Sequence, residues 1–340
     1  MSLVSNVIVG DSAVESTRKA MNLAGWRKFV KQEPIILKVN AVWDRVRPGT
    51  TTSPMVIEGV LQELTEAGFK DITIVDTDTP AFMNVNKSFK VLGILKLARK
   101  YGVKVVRLTT DKFVEASFPH GKVLHKQRIA KTLADAKTII TLPILKTHGI
   151  TKMTAALKNQ WGCIHDLRHN EHLHVDQAIA DVNHFYKDKI NFCVMDAIIC
   201  QEGEGPKSGT PIIVGNVLAS HDLVSIDAAA ATIMGYAPTD IKHIINSEQC
   251  KVGEMKFTIL GDPLPQKNFR KAKQNFTIKF EMACRGTFLD RIMFKTPLVL
   301  FWFRLAARIY YEIWDVFVGM PASKRILKTK FGKMWSRHIS

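Results

Sequence analysis

The chain has 340 residues, of which 46% are hydrophobic and 23% are charged. These proportions are those of a globular protein and exclude an intrinsically disordered chain. Lysine and arginine (48 residues) outnumber aspartate and glutamate (31 residues), which gives a formal net charge of +17. Such an excess attracts polyanions, whether nucleic acid, an anionic membrane or phosphorylated substrates. The five cysteines form no CxxC pair, so the sequence indicates neither a disulfide framework nor a standard zinc site.

Strands and helices are predicted to alternate along the first 262 residues. Pro34 to Asn40 is typical of a buried strand, and Ser53 can cap a helix that has Pro54 in its first turn and Gly68 just past its end. This alternation predicts an α/β fold with a mostly parallel sheet and helices on both faces. Further strands are predicted at 72–75, 103–108, 138–145, 190–195, 212–218 and 257–260, and further helices at 89–101, 175–186, 223–234 and 238–247.

The character of the chain changes after about residue 262, and we predict three parts. Residues 1–262 form the α/β domain, residues 263–296 a basic linker, and residues 297–340 an apolar, amphipathic helical segment with a basic tail. Between 297 and 318 the only charges are Arg304, Arg308, Glu312 and Asp315. Steps of four, four and three place these charges on one stripe of a helix, with apolar and aromatic residues elsewhere.

This C-terminal segment predicts peripheral attachment to a membrane. Its helix could cross a bilayer by length, but four charges at membrane depth would cost roughly 2.5–3.5 kcal/mol each. A helix that lies in the interface avoids this cost, and basic residues beside it favour an anionic leaflet. A core helix or a homodimer interface is the alternative. Six cations follow without an acid between them: Lys324, Arg325, Lys328, Lys330, Lys333 and Arg337.

Polar side chains gather where the predicted strands end. Lys38 and Asn40 close one strand, and a loop with Thr50, Thr51 and Thr52 follows. Threonine hydroxyls and loop amides suit phosphate or carboxylate oxygens. In open α/β sheets ligands bind outside the carboxyl ends of the strands. We therefore predict that Lys38, Asn40, Thr51 and Thr52 bind the substrate.

A second polar stretch follows the strand at 138–145. It contains Lys146, His148, Lys158 and Asn159, and five of the eleven histidines lie between 148 and 174, including His169. Lysines suit an anionic ligand, and imidazoles suit metal ligation or proton transfer near neutral pH. A solvated loop and helix is the alternative, because composition alone does not distinguish it from a site.

Acidic residues and glycines complete the predicted site. Asp76 and Asp196 follow two strands and could hold a divalent metal or orient a base, although a turn or helix cap is an equally simple role for Asp76. Glu202 lies in a glycine-rich segment that we expect to be a loop approaching the ligand, with Gly203 and Gly205. The segment is neither a Walker A loop nor a GxGxxG motif, so nucleotide binding does not follow.

Taken in order, these motifs resemble the family catalogued as domain of unknown function 362, over roughly residues 35–253. The resemblance implies an α/β domain found in bacteria and archaea, often beside ferredoxin-type cluster modules. It implies no catalytic role for any residue, and the cysteine-rich motifs of many relatives are missing here. The resemblance rests on LKVN (37–40), TTSP (51–54), LPILKTH (142–148), ALKNQWGCI (156–164), His172 or His174, MDAIICQEGEGPKSGTP (195–211) and VLASHDLVSIDAAAATIMG (217–235).

We therefore expect an enzyme that acts on an anionic substrate, phosphorylated or lipid-linked, at the cytoplasmic face of a membrane. His148 would transfer a proton, and Lys146, Lys158 and Glu202 would be the other catalytic residues. Asn159 would bind the substrate. Nucleic acid is not an expected partner, because the sequence contains no DNA- or RNA-binding signature. No secretory signal is expected at the first residues, and attachment would use residues 297–337.

The alternative is an accessory protein that handles a redox group or cofactor without turnover. Cys163, Cys193 and Cys200, together with the histidines, motivate this reading. It would bind a metal or, less favoured because the cluster motifs are missing, an iron–sulfur cluster.

Overall fold

The computed structural model describes residues 1–79, 82–165, 168–274 and 276–339. These residues form two sheets and a series of helices, which are numbered in chain order. The strands are Ser2–Ile8 (β1), Ile35–Lys38 (β2), Ile72–Asp76 (β3), Lys104–Arg107 (β4), Phe113–Ser117 (β5), Lys126–Ala130 (β6), Thr138–Thr141 (β7), Ile144–His148 (β8), Lys152–Thr154 (β9), Ile190–Glu204 (β10), Ser208–Ser220 (β11) and Phe257–Gly261 (β12).

The α-helices lie between and after these strands. A π-helical turn at Asp315–Gly319 separates two of the last ones. The helices are Ala13–Leu23 (α1), Pro54–Glu66 (α2), Val85–Val91 (α3), Ile94–Tyr101 (α4), Lys131–Asp135 (α5), Ala156–Asn159 (α6), Val175–Tyr186 (α7), Leu223–Met234 (α8), Lys242–Gln249 (α9), Phe276–Cys284 (α10), Phe288–Lys295 (α11), Pro297–Trp314 (α12), Met320–Leu327 (α13) and Lys330–Ile339 (α14).

The main sheet is mixed and mostly parallel, in the order β12-β1-β11-β10-β7-β2-β3-β4, with β8 paired to β10 and β9 paired to β8. Neighbours from β10 through β7, β2 and β3 to β4 are parallel, whereas β11 is antiparallel to both β10 and β1. One apolar core on one face includes residues of α7, α8 and α9, and a second core includes residues of α1, α2, α4 and α14. The predicted α/β class with helices on both faces is confirmed.

Several predicted elements differ in detail, and each difference has a local cause. The single helix expected at 89–101 is two helices, because Gly93 between them has φ of +73°. The strand expected at 138–145 is split into β7 and β8 around Leu142 and Pro143, since proline lacks the N–H that a central strand donates. Residues 201–204 of the glycine-rich segment, expected as a loop, are the end of β10 and pair with β11.

The segment that we expected to be a basic linker contains helices α10 and α11. Thr287 caps α11 by accepting a hydrogen bond of 3.2 Å from Leu289 N. Arg285 forms ion pairs with Glu281 (3.0 Å) and Asp290 (2.8 Å). Local capping and charge pairing therefore give regular structure to a stretch that composition indicates as polar and open.

The C-terminal helices are packed against the α/β domain. Trp335 of α14 is fully buried in the core that α2 also lines. His338 Nε2 lies 2.8 Å from Glu58 Oε2 on α2. Within the described part of the chain, we find no helix with the length and hydrophobicity needed to span a bilayer.

Candidate functional site

The candidate site lies where β2, β3 and β8 end. Lys38 is in register with Val75 of β3 and with Thr141 of β7, so the carboxyl ends of these parallel strands meet at one edge. Strand β8 enters from the side and pairs Lys146 with Gln201 of β10. The topology thus brings together side chains that lie far apart along the sequence, and most of them are buried.

Lys38 and Asp76 form a buried ion pair at this edge. Lys38 Nζ donates to Asp76 Oδ1 at 2.7 Å and to the Val39 carbonyl at 2.8 Å. Asp76 Oδ2 accepts a hydrogen bond of 2.6 Å from Ala41 N, and Oδ1 also accepts one from Thr77 N. Both oxygens of Asp76, which we predicted as a metal ligand or a base, are thus engaged by donors of the protein itself.

Lys146 is as buried as Lys38 but has neutral partners. Its Nζ donates to Asn40 Oδ1 at 2.9 Å and to the Thr50 carbonyl at 2.8 Å. Burial and then the charge of Lys207 lower the pKa of Lys146 from its ordinary 10.5 to about 7. A lysine with this pKa can both accept and release a proton near neutral pH.

Two asparagines hold this lysine in place. Asn40 Nδ2 donates to Asn159 Oδ1 at 3.1 Å, and Asn159 Nδ2 donates to the Lys38 carbonyl and to Thr141 Oγ1. Asn159 is in turn positioned by α6, whose first N–H groups, of Ala156 and Leu157, donate to the buried carboxylate of Asp227. Burial raises the pKa of Asp227 to about 7.

Four lysines contribute positive charge to the site. The charges of Lys207, Lys158 and Lys38 all act on the pKa of Lys146 and lower it, and Asp76 opposes them. Lys207 Nζ donates to Thr79 Oγ1 at 2.9 Å and lies 5.2 Å from the ring centre of Tyr311 on α12. The site is therefore a concentration of cations, which suits an anion.

Buried polar atoms without a hydrogen-bond partner surround Lys146. They include the hydroxyl oxygens of Thr51 and Thr154 and Oε1 of Gln201. Thr154 and Gln201 both pair with Lys146 in the register of the neighbouring strands. Because buried polar groups are nearly always hydrogen-bonded, these atoms are available to a ligand. Thr52, by contrast, is used by the fold, since its hydroxyl bonds to the Leu142 carbonyl and to Asn40 N.

His148 lies at the end of β8, at the margin of this group. Its Nδ1 accepts hydrogen bonds from Ile150 N (3.1 Å) and Thr151 N (3.3 Å). Burial and then the charge of Lys158 lower its pKa well below 6.5, so the imidazole is neutral at pH 7. His148 lines a cavity of about 190 Å³ together with Lys152, Tyr236, Asp240 and Lys271.

Glu202, Gly203 and Gly205 occupy the β10–β11 hairpin. Glu202 Oε2 accepts a hydrogen bond of 2.9 Å from Arg270 N, and this contact directs the Glu202 side chain away from Lys146. A Cβ atom at Gly205 would lie 1.9 Å from the Thr147 carbonyl oxygen, and one at Gly203 would lie 2.6 Å from Arg270 Nη2. The glycines thus allow close packing of the hairpin on β8 and on the segment at 270.

Asp196 lies beside the start of α2. Its carboxylate accepts hydrogen bonds from Ser53 N (2.7 Å) and Ile198 N (3.0 Å). Burial raises its pKa to about 6. These contacts orient the loop that carries Thr51 and Thr52, and they use both oxygens of a residue that we predicted as a metal ligand or a base.

Among the described residues, no group of three or more His, Cys, Asp or Glu side chains is arranged to hold a metal ion. The side chain of His169 is outside the described part of the chain. The three cysteines considered for a cluster, Cys163, Cys193 and Cys200, are buried, and burial raises the pKa of Cys193 and of Cys200 well above 9.0. Burial thus favours the thiol form of Cys193 and Cys200, whereas cluster ligands are thiolates.

Sequence reasoning missed three contributors to the site. Lys207 lies in the segment from which only the glycines and Glu202 were predicted to join the site. Its position within the family motif at 195–211 could have identified it. Gln201 and Thr154 reach Lys146 only through strand pairing, and neither stands out by residue type. Pairing across β8, β9 and β10 joins segments that are up to about fifty residues apart, which local patterns do not reveal.

The comparisons with known proteins agree with this architecture. The model of the family described as Domain of unknown function (DUF362) matches residues 35–232. A thylakoid-associated protein of Synechocystis sp. is 29% identical over 240 residues, which cover 67% of this chain and 71% of that protein.

Two solved structures are more distantly similar. A protein from Thermotoga maritima has a TM-score of 0.38 and 13% identity, over 72% of this chain and 61% of that one. The lactate racemase apoprotein from Thermoanaerobacterium thermosaccharolyticum has a TM-score of 0.39 and 11% identity, over 73% and 57%. The chain thus spans less than two thirds of either protein, and neither likeness bears on function. Because the family model matches more than half of its residues, the chain belongs to the family described as Domain of unknown function (DUF362).

Proposed function

We propose that the protein is an enzyme that binds an anionic substrate beside Lys146, Lys158 and Lys207 and transfers a proton through Lys146. The observation that carries this proposal is the surroundings of Lys146. It is a buried amine held by two neutral oxygens, and burial, followed by the charges of Lys207, Lys158 and Lys38, lowers its pKa to about 7. An ordinary buried lysine in a structural role would have a carboxylate partner, as Lys38 has.

The roles of the neighbouring groups follow from their chemistry. The ammonium groups of Lys158 and Lys207 would attract the anion. The hydroxyls of Thr51 and Thr154 lack partners and would donate hydrogen bonds to its oxygens. Asn40 and Asn159 would keep the amine of Lys146 oriented. His148 keeps a place at the margin of the site, but its low pKa favours Lys146 for proton transfer at neutral pH.

The substrate is further proposed to be met at a membrane surface, on the cytoplasmic side. Two observations support this location. Helix α12 and the π-helical turn after it expose large apolar residues such as Trp302 and Phe317, and the six cations at 324–337 that follow are also exposed. The relative from Synechocystis sp. is described as thylakoid-associated. The accessory role with a metal or cluster has no comparable support among the described residues.

Binding of a model anion tests the site directly. Calorimetric titration with pyrophosphate at pH 8, in two buffers with different heats of ionisation, measures both affinity and proton uptake. An anion beside Lys146 restores its proton, so we expect net proton uptake in the native protein and its loss in Lys146→Met. The matched control is Lys19→Met, which replaces an exposed lysine far from the site.

Two outcomes would contradict the proposal. One is pyrophosphate binding that is equally tight and equally coupled to protons in Lys146→Met and in Lys19→Met. The other is a failure of pyrophosphate, glycerol phosphate and citrate to bind the native protein at all.

A further inference from the structure

Helix α12 is amphipathic in the reverse of the usual sense, because its charged stripe faces the protein. Arg308 Nη2 lies 3.3 Å from Asp44 Oδ2, and Arg45 forms ion pairs with Glu312 and Asp315. The opposite face of α12 and of the π-helical turn that continues it is exposed to solvent, with Trp302 at 60% and Phe317 at 75% exposure. The large exposed apolar residues of this outer face are Leu298, Phe301, Trp302, Ile309, Tyr310, Ile313, Val316, Phe317 and Val318.

The inner face of α12 covers the lysine site. The ring of Tyr311 packs edge-on against Trp43 with ring centres 6.1 Å apart, and it also lies over Lys207 Nζ. Arg304 lies over the ring of Phe82, 4.4 Å from its centre. Burial and then the charge of Lys207 lower the pKa of Lys146. Lys207 therefore lies between α12 and Lys146, the proposed proton-transfer group.

A chain of polar contacts also joins α12 to Lys146. Asp315, just after α12, forms a buried ion pair with Arg47. The Arg47 carbonyl accepts hydrogen bonds from Thr50 N (3.0 Å) and Thr50 Oγ1 (2.6 Å). The Thr50 carbonyl accepts one from Lys146. A displacement of Asp315 would therefore loosen the turn that holds Lys146.

The layer between α12 and Lys146 is not built like a finished core. Its buried polar atoms without a partner include Trp43 Nε1, Asp44 Oδ1, Arg47 Nε and Thr51 Oγ1. Native cores leave few such atoms. These buried polar atoms can hydrogen-bond to water once α12 lifts and the layer is exposed to solvent.

Helix α12 is anchored through the helices that follow it, and a π-helical turn interrupts the helix directly after its last residue. The π-helical turn at Asp315–Gly319 follows α12, and π-turns and similar irregularities often mark functional sites in helices. Beyond it, α14 is anchored by the buried Trp335. Between these two lie exposed cations without an acid among them: Lys324, Arg325, Lys328, Lys330 and Lys333. Their charge complements an anionic bilayer beside the apolar outer face.

We infer that α12 is a lid whose apolar outer face docks on an anionic bilayer, and that docking lifts it and admits a lipid carrying an anionic headgroup to the lysine site. This inference rests on the proposed function, because it names the source of the anionic substrate. Headgroups would replace Glu312 and Asp315 as partners of Arg45 and Arg47 when the lid lifts.

Docking is tested with full-length protein and vesicles of phosphatidylcholine alone or mixed with phosphatidylglycerol. We expect co-sedimentation with the mixed vesicles and its loss in the double variant Trp302→Glu/Phe317→Glu, whose side chains are exposed and outside the core. Lys324→Glu/Lys328→Glu should weaken binding while leaving the apolar face intact. If the native protein is instead a dimer that the first variant makes monomeric, the face joins two copies and the inference is overturned.

Lid opening is tested by acetylation of Lys146, measured by mass spectrometry at limiting acetic anhydride. Closed protein should react slowly at Lys146. Anionic vesicles should raise the rate at least about fivefold, the change expected when a minor open state of at most about 10% becomes half-populated. Exposed Lys19 is the internal control and should not change. Vesicle binding without faster acetylation would refute the lid.

Failure here and failure of the proposed function give different results. Pyrophosphate is small enough to enter through the minor open state of the lid, and it is titrated without vesicles, so its binding in Trp302→Glu/Phe317→Glu reports on the lysine site. Intact pyrophosphate binding with no effect of vesicles overturns only the lid. Vesicle docking without any anion binding overturns the proposed function and removes the reason for the lid.

Discussion

The ammonium group of Lys146 donates its hydrogen bond of 2.9 Å to the neutral amide of Asn40, not to a carboxylate. Lys38, which is equally buried, donates to the carboxylate of Asp76 at 2.7 Å. Two lysines of the same type, at the same edge of the sheet, thus have opposite electrostatic surroundings. Lys38 has the carboxylate partner expected of a structural buried lysine. Among the described residues Lys146 lacks such a partner, an arrangement that a purely structural role does not require.

This contrast predicts different effects on stability. Lys38→Met leaves the Asp76 charge buried without its cation, and the free energy of unfolding should fall by about 3–5 kcal/mol. Lys146→Met loses two hydrogen bonds, at about 1 kcal/mol each, but it also removes a costly buried amine. We expect a loss below about 2 kcal/mol, measured by urea unfolding at pH 6. A Lys146→Met protein as unstable as Lys38→Met would contradict this interpretation.

The pKa of Lys146 predicts a pH dependence of stability. Burial, followed by the charge of Lys207, lowers this pKa from 10.5 to about 7. Between these values the unfolded chain binds the proton and the folded chain does not, so the free energy of unfolding rises with pH. Native protein minus Lys146→Met should therefore gain stability from pH 7 to 10, by at most about 1.4 kcal/mol per pH unit. Subtracting the stability of Lys146→Met removes the contributions of the other titrating groups. A difference in stability that does not change with pH would disprove the lowered pKa.

Replacement of Asn40 by aspartate should give Lys146 a carboxylate partner, like the one that Lys38 has in Asp76. A carboxylate at this position would raise the pKa of Lys146 and would repel an anion. We expect the affinity for pyrophosphate to fall by about tenfold or more, because one like charge across a desolvated contact costs more than about 1.4 kcal/mol. Asn40→Ala, which removes the acceptor without adding charge, is the control and should bind more tightly than Asn40→Asp. Equal affinities would argue against an anion at this position.

Two tryptophans of the C-terminal helices should behave in opposite ways. Trp335 of α14 is fully buried, and Trp335→Ala should lower the free energy of unfolding by about 3–5 kcal/mol. Trp302 of α12 is 60% exposed, and Trp302→Ala should change it by less than about 0.5 kcal/mol. Thermal and urea unfolding of both variants provides the measurement. Similar losses in both would mean that the outer face of α12 is covered in solution.

Much of the site could be predicted because it lies at the ends of apolar strands. The run before Lys38 and the run before Lys146 both indicate buried strands, and the polar residues that follow must then lie at the edge of the sheet. The structure brings Asn40, Lys146 and Asn159 into direct hydrogen-bond contact. Periodicity likewise identified the charged stripe of α12.

The remainder depends on contacts that no local pattern encodes. The sequence indicates that Arg308 shares a stripe with Glu312, but not that the stripe faces Asp44, which is 264 residues away. Asp76 could be recognised as a residue at a strand end, but its role as the partner of Lys38 depends on β2 and β3 lying side by side. Lys207 becomes part of the site only through the hairpin of β10 and β11.

The position of β1 has a practical consequence for anyone who truncates this protein. The family match begins at residue 35, yet Ser2–Ile8 lies between β11 and β12 and pairs with both. A fragment cut at residues 35–232 would leave the thirteen-residue strand β11 with an open edge, which is a template for pairing between chains. Such a fragment should aggregate during expression, whereas one that keeps β1 and β12 retains the native edge of the sheet, the five-residue strand β12.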